Sequence, residues 1–309
     1  MTAPAPDAAA AAVPVLDIGG THVTAALVDP SAGRTLVTTR RPLGAHATAD
    51  GILDAIALAA RELPAGHNPH WGVAIPGPFD YAGGIGIFTG IGKFESLHGV
   101  DVGAGLRRRL PGRAERLRFL NDADAFAIGE HRAGAAAGHD RVVCLTLGTG
   151  VGSSFLAAGR PVHDGATVPP GGVAHRLTVR GRPLEDTVSR RAIRADHARR
   201  TGTAPGGDLL DVHEIAALAA DGDTGAQDTF RYAFGTLGQA LAPWIDRFEA
   251  TAVVVGGSIA QSWDLIHPAF VAGLTADGGT AVPVLPSRQP ARAPLIGAAH
   301  WALEAPGPS

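Results

Sequence analysis

The run Arg118-Phe119-Leu120-Asn121-Asp122-Ala123-Asp124-Ala125-Phe126-Ala127-Ile128-Gly129-Glu130 constrains this chain more than any other stretch of it. Its first residues read as the end of a strand and its last as a helix. Asn121-Asp122 between them carry side-chain oxygens that can cap the open N–H groups of that helix. In an open α/β sheet, a carboxylate at such a switch lies outside the carboxyl end of a strand, where small ligands collect. Capping alone also accounts for an Asn-Asp pair, so the choice between cap and site rests on what flanks it.

Two glycine turns flank it. The apolar run Val13–Ile18 breaks at Gly19-Gly20-Thr21-His22 and resumes as Val23–Asp29. Val142–Leu147 does the same at Gly148-Thr149-Gly150 and returns through Ser153–Ala157. Each predicts a tight hairpin whose glycines let the main chain approach a ligand, and whose amides, with the threonine hydroxyl, can grip phosphate oxygens. A plain hairpin explains either turn taken singly. The repetition, one turn in each half of the chain around Asn121-Asp122, points to two lobes that each offer a hairpin to a shared cleft. A third turn follows the strand Thr251–Val255 at Gly256-Gly257 and leads into a predicted helix, an arrangement that serves ligand binding or plain packing. Asp17, just ahead of the first turn, can hold Mg²⁺ through water or bond the turn's own amides.

Elsewhere, Ile52, Ile56, Ala59, Ala60 and Leu63 predict a helix over 48–63, followed by a strand at Trp71–Ile75 and a rigid turn at Pro76-Gly77-Pro78-Phe79-Asp80. The stretch 83–94 carries too many glycines for ordinary strands and reads as a loop in close approach to something. Lys93 within it is either a substrate contact or a plain exposed lysine. Arg107-Arg108-Arg109 reads as a solvated helix face.

A chain of 309 residues, 45% hydrophobic, has apolar surface for two lobes of about 100 to 200 residues each. The formal charge of −3 and a pI near 6.5 argue against nucleic acid or an anionic membrane as partner. Cys144 is the sole cysteine, so there is no internal disulfide and no thiolate zinc cage, which fits a reducing cytoplasm. Its apolar surroundings predict an inert buried thiol. No run of about 18 strongly apolar residues predicts a membrane span. Residues 1–12, with Asp7 where a secretion signal would be basic, read as a loose tail.

Taken together, Asp17-Ile18-Gly19-Gly20-Thr21, Pro76-Gly77-Pro78, Asn121-Asp122-Ala123-Asp124-Ala125, Leu147-Gly148-Thr149-Gly150-Val151-Gly152, Leu184-Glu185-Asp186-Thr187-Val188-Ser189 and Val255-Gly256-Gly257 resemble the ROK family of sugar kinases, in order, from residue 13 onward. The resemblance implies a two-lobed α/β actin-like ATPase (ribonuclease H-like) fold, with a mixed sheet and flanking helices in each lobe. Residues 13–120 with a C-terminal helix at about 291–305 would form the smaller lobe, and 121–290 the larger. It implies ATP and Mg²⁺ as cofactors, with Gly19, Gly20, Thr21, Gly148, Thr149 and Gly150 around the phosphates and Gly256 and Gly257 beside the adenosine. Asp122 would be the catalytic base and Asn121 a sugar ligand, joined by Gly77, Thr89, His175 and Glu185. A homodimer is the family tendency.

Two departures bear on substrate. The family usually carries Gly-Glu-x-Gly-His and then a cysteine-rich zinc loop, whereas this chain reads Gly171-Gly172-Val173-Ala174-His175 and reaches Glu185 after a short run. No structural zinc is expected, which leaves His175 as a sugar ligand or as a histidine that satisfies nearby backbone. Glu185 is either sugar-facing or a first-turn acid of a helix over 185–193. Gly172 removes an acceptor on the anomeric side of the sugar, worth about 1 to 3 kcal/mol opposite a hydroxyl. The substrate expected is therefore glucose or an amino sugar such as kanosamine or glucosamine, phosphorylated on its primary hydroxyl. His22 stands where a basic residue often follows the first turn. A sugar-binding protein without catalysis is the alternative; a DNA-binding regulator conflicts with the charge and with the absence of a helix pair ahead of the first hairpin.

Overall fold

The computed structural model describes residues 11–203 and 208–304, which fall into two compact units: residues up to 134 with those from 291 onward, and 135–290. The tail expected at 1–12 lies outside the described residues except at its end. There Ala12 is buried, and its carbonyl accepts from the Asn68 N–H at 3.1 Å. The division falls after Gly134 rather than after Leu120, because the helix that follows Asn121 packs into the first unit.

The first unit is built on β1 (Val13–Ile18), β2 (His22–Asp29), β3 (Arg34–Pro42), β4 (His70–Ala74) and, after the two-residue ribbon β5 (Phe79–Asp80) with β6 (Ile85–Gly86), β7 (Arg116–Leu120). The sheet order is β3-β2-β1-β4-β7. β1 and β2 form the expected hairpin, while β1, β4 and β7 run parallel, with Asp17 opposite Ala74 and Ala74 opposite Leu120. Parallel pairing brings the carboxyl ends of all three to one edge. Helix α1 (Ala49–Arg61), capped by Thr48, buries Ile52, Ile56, Ala59 and Ala60 as the apolar spacing requires. Helix α2 (Val102–Arg109) corrects the solvated-face reading at its end. The Arg109 side chain is only 17% exposed and is hydrogen-bonded to Asp54 at 2.6 Å and Asp50 at 2.7 Å.

Helix α3 (Asp122–Ala133) packs on the C-terminal helix Ala293–Leu303, and glycine sets how near they come. A Cβ at Gly297 would collide with the Ala125 carbonyl, and one at Gly129 with the Ala293 carbonyl. Side chains at these positions would force the helices apart.

The second unit repeats the plan with β8 (Arg141–Leu147), β9 (Val151–Ala157), β10 (Arg160–Pro161), β13 (Ala252–Gly256) and β14 (Val284–Pro286) in the order β10-β9-β8-β13-β14, beside a small ribbon of β11 (Thr178–Val179) and β12 (Arg182–Pro183). β8 and β9 are the second hairpin; β8, β13 and β14 are parallel. Cys144 is buried in β8. The helix expected over 185–193 is broken into α4 (Glu185–Val188) and α5 (Arg190–Thr201), because Ser189 turns extended and its hydroxyl caps α5 at the Ala192 N–H. Helices α6 (Val212–Ala220), α7 (Thr224–Phe248) and α8 (Trp263–Thr275) follow; the segment after Gly257 is a 3₁₀ turn at Ile259–Ser262 before α8 begins. No helix among the described residues is long and apolar enough to cross a membrane.

Replacing Gly297 by valine should destabilise the protein by about 1 to 3 kcal/mol or more through overpacking of the two helices. Urea unfolding measures this, and an unchanged midpoint would mean that the close approach is not required.

Candidate active site

At the carboxyl edge of the first sheet three loops meet. Gly19-Gly20-Thr21 closes tightly, with the Gly19 N–H donating to the His22 carbonyl at 2.9 Å and the Thr21 hydroxyl 2.9 Å from His22 Nδ1. Asn121 caps α3, its Oδ1 accepting the Ala123 N–H at 2.9 Å, so the capping reading holds for this residue. Its Nδ2 remains available and donates to the Tyr81 hydroxyl at 3.0 Å; that hydroxyl in turn donates to the Ile75 carbonyl at 3.3 Å and lies against Gly77, whose added Cβ would sit 3.2 Å away. Tyr81 thus ties Asn121 to the turn at Gly77. Asp122 opens α3 with its Oδ1 accepting the Ala123 N–H at 3.0 Å, and the side chain is exposed.

Asp17 feels the charge of Asp122, and Asp122 that of Asp124. Crowding by protein, and then the Asp122 charge, raise Asp17 from 3.8 to about 7, while Arg40 opposes the shift. Desolvation likewise raises Asp122, offset first by Lys93. Both keep surface open to solvent, Asp122 more than Asp17, so they are crowded without being sealed and a ligand can reach them. Two hard carboxylates short of positive charge are a donor set that suits Mg²⁺. Among the described residues no group of three or more His, Cys, Asp or Glu side chains is placed to hold a metal ion. An ion at Asp17 would therefore take most of its ligands from water and nucleotide. Thr89 is exposed and engages His98 Nδ1 at 3.0 Å rather than another expected site residue.

In the second unit the two remaining glycine turns come together. A Cβ at Gly257, which has φ +91°, would collide with the Leu147 carbonyl, and one at Gly148 would lie 3.5 Å from Ser258 Oγ. Glu185, half-buried at the start of α4, lies over Gly150, where a Cβ would strike its Oε1. The His175 segment is pinned by Ser153, whose Oγ donates to the Gly172 carbonyl at 2.9 Å and accepts the Ala174 N–H at 2.7 Å. Burial lowers the pKa of His175, Glu185 opposes that, and Arg176 adds to it. Gly172 adopts φ +67°, with Val162 and His163 close to any Cβ.

Several contributors escape sequence inspection. Tyr81 and Ser153 act through the residues they hold, and neither belongs to a motif. Beside the third turn a pocket of about 240 Å³ is lined by Arg190, Asp211, His213, Ser258 and Ile259 among others, with Arg190 Nε 2.7 Å from Asp211 Oδ1. Only proximity of α5, α6 and the turn after β13 assembles it. The glycine motif at 256–257 was the signal nearest to it.

Residues 14–305 match the ROK family. A glucokinase of Thermotoga maritima is 28% identical over 272 residues, 81% of this chain and 83% of its own. An N-acetyl-D-glucosamine kinase of Salmonella arizonae is 31% identical over 153 residues, 47% of this chain and 46% of that one. A crystal structure of a ROK family glucokinase from Streptomyces griseus in complex with glucose and AMPPNP superposes with a TM-score of 0.74 at 28% identity, covering 94% of this chain and 98% of that chain. Two mixed sheets with flanking helices, shared with such neighbours, are the actin-like ATPase fold.

Because Asp17 titrates near 7 in the folded chain and near 3.8 when unperturbed, the folded state retains a proton that the unfolded state has released between those values. Stability contributed by this group therefore falls as pH rises from about 4 to about 7 and is level above. Thermal unfolding of the wild type against Asp17→Asn should show a difference that changes across this window and then stays constant. A difference independent of pH would refute the shift.

Proposed function

The chain belongs to the ROK family, and from that premise we propose that it is an ATP-dependent sugar kinase transferring the γ-phosphoryl group to the primary hydroxyl of glucose or an amino hexose such as glucosamine or kanosamine. The observation that carries this reading is Asp122: a reachable carboxylate at the strand-to-helix switch, its pKa raised by desolvation, on the same sheet edge as the Gly19-Gly20-Thr21 turn.

In the proposed reaction the sugar oxygen bonds to the γ-phosphorus as the bond from that phosphorus to the β–γ bridging oxygen breaks. The hydroxyl proton passes to Asp122, and ADP leaves with the bond's electron pair on its terminal oxygen. Asn121, fixed by its cap bond and by Tyr81, holds a sugar hydroxyl, with Gly77, Thr89, His175 and Glu185 as further sugar contacts. The amides at Gly19, Gly20 and Thr21, and at Gly148, Thr149 and Gly150, hold phosphate oxygens, and the pocket beside Gly256 and Gly257 takes the nucleoside. Bound Mg²⁺, held by Asp17 through water, would neutralise phosphate charge. A homodimer in a reducing cytoplasm goes with this reading.

The amino-sugar preference draws on the other sugar-facing set. His175 is held toward its neutral form, and Gly172 offers no carboxylate, which leaves Glu185 as the charged group for a substrate ammonium. The left-handed backbone at Gly172 disfavours any side chain there, so the family's glutamate cannot simply be restored. The same missing acceptor favours, as a second reading, a sugar-binding protein without turnover.

ADP release measured by a coupled assay over a panel of hexoses and amino hexoses should find turnover, and no turnover with any sugar would favour the silent binder. Asp122→Asn should keep sugar affinity and lose about 10² to 10⁴ in kcat. A variant that keeps its rate would remove Asp122 from the mechanism.

A further inference from the structure

Of the 26 basic Lys and Arg side chains in the sequence, Lys93 alone is lysine. An ammonium differs from a guanidinium in being a compact point charge on a slender stem, able to reach into a narrow space and meet phosphate from one side. The stem of Lys93 lies across the first glycine turn: a Cβ built on Gly20 would be 3.6 Å from its Cδ. Its charge is the leading influence opposing the upward shift of Asp122. The stem therefore lies at the first glycine turn, and the charge it carries acts on Asp122.

Its loop is built to hold it there. Glu95 accepts the N–H groups of Gly90, Ile91 and Gly92 at 3.2, 2.9 and 3.0 Å. Phe94, in a left-handed conformation at φ 58°, donates its N–H to the Ala45 carbonyl at 2.8 Å and buries its ring completely. A half-buried lysine between these two anchors is not a freely solvated one. At the turn itself the side chain after Thr21 is His22, whose Nδ1 is engaged with the Thr21 hydroxyl.

We propose that Lys93 is a catalytic residue that binds oxygens of the transferring phosphoryl group, supplying positive charge to them from the 90–94 loop. This rests on the kinase reading above. Lys93 takes no part in the proton transfer: the hydroxyl proton goes to Asp122 and the electron pair of the broken bond to ADP, while the ammonium offsets the charge on the oxygens in flight.

A single lysine allows a test independent of turnover. Reductive methylation with formaldehyde and borohydride, read by peptide mass, reports on Lys93 with the N-terminal amine as internal control. AMPPNP or inorganic tripolyphosphate at saturation should slow methylation of Lys93 at least about fivefold, and glucose or glucosamine alone should not. Protection by sugar and not by the phosphate ligands, or by neither, would overturn the proposal. Lys93→Met should lower kcat/KM for ATP by about 10² to 10³ while sugar affinity and unfolding temperature hold. A loss of under about threefold, or an equal loss of sugar affinity, would also overturn it. Absence of wild-type turnover with every sugar would sink the kinase reading separately, and protection by tripolyphosphate would still report phosphate at Lys93.

Discussion

The approach of α3 to the C-terminal helix is the contact on which the first unit depends. Gly129 and Gly297 let each backbone lie against the carbonyls of the other, at Ala293 and Ala125, closer than any side chain permits. Close packing of this kind leaves few alternative positions for the pair. Because α3 begins at Asp122, one turn ahead of Ala125, the helix contact also fixes where the carboxylate stands. The second unit uses the same device, with Gly238 of α7 against Phe270 and Gly273 of α8 against Gly235. In both units small residues let helices settle deeply, and the sheet edges then carry the glycine turns at defined places.

Charge is handled unevenly around that frame. Most acidic side chains in surface ion pairs, such as Asp211 with Arg190 or Asp186 with Arg191, sit opposite arginine. Asp17 instead feels the charge of Asp122, and Asp122 that of Asp124, moderated by Arg40 and Lys93, and both pKa values rise. Such a concentration of negative charge works against the empty fold and in favour of a cationic or metal-bearing ligand. The pKa of His175 shifts the other way, since burial favours its neutral form. Two sets of titratable groups pushed in opposite senses by their surroundings give this chain its chemical character.

Local sequence carried much of the architecture. Hairpins at Gly19-Gly20-Thr21 and Gly148-Thr149-Gly150, the cap at Asn121 and the helix over Ile52 to Ala60 each follow from near-neighbour chemistry, whose effects act over a few residues. The ends of elements were less legible. Ser189 can cap a helix or continue one, and the choice for the cap broke the helix expected over 185–193. Arg109 belongs by pattern to a solvated face, but Asp50 and Asp54, more than fifty residues earlier, draw it in.

The sequence by itself determined the class of fold, the three glycine turns and the residue types available for phosphoryl chemistry, because each is written in a short run of residues with a local physical meaning. Tertiary structure alone decided that Tyr81 holds Asn121, that Ser153 pins the His175 segment, that Glu185 lies on Gly150, and that the lone lysine reaches across Gly20. Each of these joins residues far apart in the chain. Their contact follows from how sheets register and helices pack, and no pattern within a window of sequence encodes that.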